Sequence, residues 1–160
     1  MITGTITATD YLNAQKLHRA KTVRWFYIIS GIAILLSIIV YWFVSCKAGI
    51  ILGCAGIGGA IGELTMSKFI LPWKVRRLHS QHKDFLSPFT YEWDSDFLMG
   101  SGVSGHSKRP WANYAKYKEN ESVFLLYHAD NIFEVFPKKW FRDNSQMDEF
   151  RSLVNRISQT

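Results

Sequence analysis

The sequence predicts a membrane α + β protein, a two-helix transmembrane hairpin followed by a small β barrel or sandwich closed by a C-terminal α-helix. Three observations predict it. Residues 23–44 and 48–64 are apolar stretches whose only charged side chains are Arg24 and Glu63, and three residues separate them. The segment from Phe89 onward alternates aromatic and polar residues with a period of two, the signature of half-buried strands. Near the end, Met147, Phe150, Leu153, Val154 and Ile157 recur at helical spacing. The mean hydropathy near zero averages over these unlike parts.

Residues 1–22 read as a Thr- and Ile-rich strand followed by a helix that Thr9 or Asp10 can cap, running into the first span. Crossing ~30 Å of hydrocarbon takes about 20 residues at 1.5 Å each. Residues 23–44 satisfy this directly, with Trp25 and Tyr27 near one end and Tyr41 and Trp42 near the other, where interfacial aromatics belong. Ser45, Cys46 and Lys47 form the turn, so the helices are antiparallel neighbours. Lys16, Arg19, Lys21 and Arg24 precede the hairpin, and Lys68, Lys74, Arg76 and Arg77 follow it. Only Lys47 sits between, which places both termini in the cytoplasm by the positive-inside rule. The formal charge of +6 is therefore juxtamembrane and needs no nucleic-acid partner. Cys46 and Cys54 are read as unpaired.

The second span reaches full length by continuing to residue 71, so the hairpin covers 23–71, as 23–44 and 48–71. Gly49, Gly53, Gly56, Ala60 and Glu63 recur at steps of four and three, which puts small residues and one carboxylate on one helical face. That face is expected to pack against the first helix or a second copy. An intramembrane carboxylate is costly and marks a functional candidate. Counting back from the turn sets Glu63 opposite Tyr27 to Ser30, whose hydroxyls are its expected partners.

Pro72 is expected to break the helix and begin a basic interfacial linker, residues 72–84. Its Lys74, Arg76, Arg77, His79, His82 and Lys83 flank Val75 and Leu78 and would meet anionic headgroups. Residues 85–160 form the cytoplasmic domain. Strands are expected around 89–93 and 97–101, and at 123–127 and 132–136 across a turn at 128–131. Tyr114 and Tyr117, three apart, suggest one helical turn. Pro137 ends a strand, leaving Lys138 and Lys139 to solvent while Trp140 and Phe141 return to the core. Ser145 is the expected cap of the last helix. Strands closed by one terminal helix are the layout of pleckstrin-homology-like domains.

Trp111, Tyr114, Leu125-Leu126-Tyr127, Phe136-Pro137-Lys138-Lys139-Trp140-Phe141 and Phe150-Arg151-Ser152-Leu153 resemble the carboxy-terminal signature of the YcxB-like family. The family tends to Pro-Lys-Arg where Pro137-Lys138-Lys139 stands. The resemblance implies two transmembrane helices before a pleckstrin-homology-like cytoplasmic domain, in the bacterial inner membrane. It implies no activity and assigns no catalytic residue.

No complete catalytic constellation is legible, and no cofactor is expected. His79 and His82 could share a helix face, yet two imidazoles are not a metal site. Gly100, Gly102 and Gly105 fit neither phosphate-loop spacing, and Ser101, Ser104 and Ser107 lack a nucleophile elbow. Lys108 and Arg109 could contact lipid headgroups. The expected function is a non-enzymatic membrane adaptor that binds lipids and a membrane-protein partner or a second copy of itself. Alternatives are an immunity protein against a membrane-active toxin and a regulator sensing anionic lipid.

Overall fold

A computed structural model describes residues 1–81, 87–103 and 105–157. The chain divides into two compact units, one of Met1–His18 with Val75–Thr160, the other of Arg19–Lys74.

In the first unit, β1 (Ile2–Gly4) is followed by the start of α1 (Ala8–Phe43). The cap lies earlier than the expected Thr9 or Asp10. The Thr7 N–H and hydroxyl donate to Asp10 Oδ2 at 2.9 and 2.7 Å, and the Asp10 N–H donates back to Thr7 Oγ1 at 3.2 Å. This is a reciprocal capping box, with Asp10 filling the third helical position that an isolated cap residue leaves unused.

Strand β1 pairs antiparallel with β2 (Phe89–Trp93), Ile2 opposite Tyr91. It therefore belongs to the sheet and not to a separate segment 1–22: the polar face of Thr3 and the buried Ile2 continue the alternation of β2. The sheet runs β1-β2-β3-β4, with β3 (Phe97–Gly102) and β4 (Gly105–Pro110) forming a hairpin. A second antiparallel sheet holds β5 (Lys116–Glu119), β6 (Val123–Ala129) and β7 (Ile132–Pro137). Trp111–Asn113 is one 3-10 turn, but the expected turn through Tyr114 and Tyr117 does not form: Tyr114 is extended, and Tyr117 lies in β5, paired with Leu126 of β6. Helix α4 (Asn144–Ile157) closes the unit. Its cap is Asp143, whose Oδ1 accepts the Gln146 N–H at 2.8 Å, two residues before the expected Ser145.

Strand β6 is buried from Val123 through Tyr127 because both its faces are covered. Phe124 and Leu126 face a core with Leu98, Trp111, Phe136, Phe150 and Val154; Val123, Leu125 and Tyr127 face Ile6, just before α1, and Ala14 in its first turns. His18 completes that second core. Its ring packs on Phe133 at 5.1 Å and its Nδ1 meets the Tyr127 hydroxyl at 3.0 Å.

In the second unit, α1 continues to Phe43, and α2 (Cys46–Thr65) returns beside it after Val44 and Ser45. The two helical runs, Ala8–Phe43 and Cys46–Gln81, are long and apolar enough to cross a membrane. Their outer surfaces expose Ile29, Leu35, Ile38, Ile39 and Ile51, a belt suited to hydrocarbon. Pro72 does not break the second run. A π turn at Met66–Ile70 joins α2 to α3 (Leu71–Gln81), with the Leu71 N–H bonded five residues back to Met66 O. The wider turn absorbs the N–H that Pro72 lacks.

Candidate functional site

The small-residue face of α2 is filled from within the hairpin. A Cβ on Gly49 would fall 2.6 Å from the Tyr41 Cα, one on Gly53 3.1 Å from Ser37 Oγ, and one on Gly56 2.9 Å from Ile34 Cγ1. The glycines let α1 approach at backbone distance. Gly49, Gly53 and Gly56 thus pack against α1, whereas Gly58 and Gly62 on other sides meet nothing within 4 Å.

Glu63, on the same helix, does not bond the hydroxyls of Tyr27 or Ser30. Arg19 Nη2 donates to both its carboxylate oxygens at 3.1 and 3.2 Å, and the Ser67 hydroxyl donates at 2.9 Å. A carboxylate in an apolar helix pair gains more from a guanidinium than from neutral hydroxyls, and both side chains are long enough to reach along the axis. The Glu63 side chain is 11% exposed and that of Arg19 25%. Arg19 Nη1 is buried with no hydrogen-bond partner among the described residues.

In the first unit, four side chains clasp the two sheets. Arg109 on β4 places Nη1 3.0 Å from His128 Nε2 on β6 and 3.9 Å from Glu134 Oε1 on β7. His128 Nε2 lies 2.9 Å from Glu134 Oε1, and the Tyr114 hydroxyl donates to Glu134 Oε2 at 3.3 Å. Burial first, then the Glu134 charge, pushes both the Tyr114 and Tyr91 hydroxyls well above the ordinary phenol range, so both stay protonated. Arg109 is therefore engaged in the clasp, with 44% of its side chain exposed. Lys108, opposite Met99, lies 4.3 Å over the Phe97 ring. Of the other expected headgroup ligands, Lys74, Arg76 and Arg77 are exposed on α3, opposite the buried Leu71 and Val75. His82 and Lys83 of the same linker, and Ser104, lie outside the described residues.

Beside the clasp, a groove of about 380 Å³ separates β2 from β7 and the start of α1. Phe89 and Tyr91 form one wall, Phe133 and Val135 the other. The wall rings lean onto β3, where a Cβ on Gly100 would fall 3.0 Å from Tyr91 Cε1 and one on Gly102 3.1 Å from Phe89 Cδ1. The glycines that fit no phosphate loop thus give the two rings room. Sequence reasoning missed Arg19, Tyr91, His128 and Glu134. Tyr91 alternates visibly in β2, but nothing local marks Glu134 as the point where two sheets meet.

His79 Nε2 lies 2.7 Å from Ile6 O, and among the described residues no three His, Cys, Asp or Glu side chains group as metal ligands. Cys46 and Cys54 are free thiols.

A family model described as YcxB-like protein matches residues 93–154, from the end of β2 into α4. The match contains all four clasp residues and excludes the helix pair. No curated protein and no solved structure matches the chain.

Proposed function

We propose, taking the YcxB-like segment 93–154 as premise, that this chain is a non-enzymatic adaptor of the bacterial inner membrane with both termini in the cytoplasm. Four strands, three strands and a closing helix fit a pleckstrin-homology-like recognition domain. One observation carries the reading. The helix pair is inserted between β1 and β2, so the domain cannot complete its first sheet without both chain crossings that anchor it. A hairpin whose small-residue face is already filled works as an anchor, and recognition falls to the domain.

The test is isolation of the full chain from membranes in mild detergent. A stoichiometric membrane-protein partner that is lost when the clasp is broken by Glu134→Ala supports the adaptor. A chain that purifies alone under gentle extraction refutes it.

Anionic-lipid sensing is the second reading, favoured by the exposed Lys74, Arg76 and Arg77 opposite a buried apolar stripe on α3. Its mark is binding of the purified chain to vesicles containing phosphatidylglycerol, abolished by high salt.

A further inference from the structure

We propose that the groove between β2 and β7 receives an extended, uncharged segment of a partner protein, added as a strand along the free edge of β7. The inference rests on the adaptor reading and names its recognition chemistry. Among the described residues strand β7 is the last strand of its sheet and is hydrogen-bonded to β6 alone. An unpaired edge offers a row of main-chain donors and acceptors that an extended peptide can complete. Natural edges are usually blunted by charge, yet this one begins with Ile132, an apolar side chain 63% exposed.

The walls fit alternate side chains. A strand added to β7 would turn every second side chain into the space between Tyr91 and Phe133, while Gln15 and Asn131 bring amides, each donor and acceptor, to the rim. The volume of about 380 Å³ is open along one side, suited to two or three side chains and not to an enclosed ligand.

Charge selects among occupants. Among the described residues no lysine or arginine lines the groove, so an anionic headgroup finds no cation in that lining. Its one carboxylate, Glu134, already takes His128 on one oxygen and Tyr114 on the other, with Arg109 3.9 Å away. A cationic segment therefore gains little, and an uncharged one loses nothing.

The test pans a phage-displayed random-peptide library against the full chain in detergent micelles. Enriched peptides are expected to carry apolar residues at alternate positions and no shared charge. Gly100→Ala pushes the Tyr91 ring towards the groove, and Ile132→Asp charges its mouth without touching the core. Each should weaken binding of the enriched peptides by about tenfold or more, while Gly58→Ala, in the helix pair, leaves it unchanged. Absence of enrichment, enrichment without alternation, or indifference to both substitutions overturns the proposal. So does a disulfide between two copies of an Ile132→Cys chain that the peptides do not compete, since a second copy then fills the edge. A membrane partner retained by both groove variants overturns the groove and leaves the adaptor standing; a chain that purifies alone removes the adaptor, while the peptide result still reports on the groove.

Discussion

The Lys139 ammonium lies 2.7 Å from Asp10 Oδ2, the same oxygen that accepts the Thr7 N–H and hydroxyl. One buried carboxylate thus caps α1 and ties its start to the turn that follows β7. The Asp10 side chain is 9% exposed and that of Lys139 51%, so most of the benefit is in the cap and not in the screened ion pair. Asp10→Ala should cost about 2 kcal/mol of unfolding stability and Lys139→Ala under about 1 kcal/mol, measured by denaturant titration in detergent. Equal losses would move the weight to the ion pair.

Glu63 and Arg19 are expected to be worth more together than apart. Glu63→Leu strands a guanidinium that already has one buried nitrogen without a partner, and Arg19→Leu strands the carboxylate. Either single change should lower the melting temperature of the detergent-solubilised chain clearly, by the equivalent of about 3 kcal/mol. The double replacement should recover most of that loss, because no lone charge remains in the helix pair. Additive losses would show that the residues do not act as a pair.

Glycines on α2 divide by direction. Gly49→Ala sets a methyl against the Tyr41 backbone, which cannot yield without spreading the helices, whereas Gly58→Ala and Gly62→Ala enter open space. The first should destabilise the hairpin, and the other two should be neutral or favourable through helix propensity. A thermal melt of each variant in one detergent checks the order.

The hairpin, the later strands and α4 were legible because each follows from spacing within a short window. Hydropathy marks residues 23–44, and period two marks Phe89, Tyr91 and Trp93. What stayed hidden depends on distant partners. Nothing within ten residues of Ile2 tells that it will pair with Tyr91, since the helix pair intervenes. Pro72 misled because the rule that proline ends a helix holds for α geometry, and a π turn evades it. The partner of Glu63 was sought at equal depth in the hairpin, but long side chains reach along the helix to Arg19. The clasp around Arg109 was hidden because it needs strands from both sheets.

Acid should loosen the domain through Glu119. Burial alone would raise its pKa, but hydrogen bonds from Arg151 Nη2 at 2.7 Å and Lys138 Nζ at 2.6 Å outweigh it, and the carboxyl sits below the ordinary glutamate range. A folded-state pKa lower than the unfolded one means that the unfolded chain binds the proton more readily. The contribution is therefore complete above the unfolded value, near 4.3, and is lost as pH falls through the folded value. Stability measured from pH 6 downward should decline below about pH 4. Glu119→Gln should flatten that limb while lowering stability at neutral pH, since Arg151 and Lys138 lose the charge that joins β5 to α4 and to the turn after β7. An unchanged acid limb would assign it to other carboxylates.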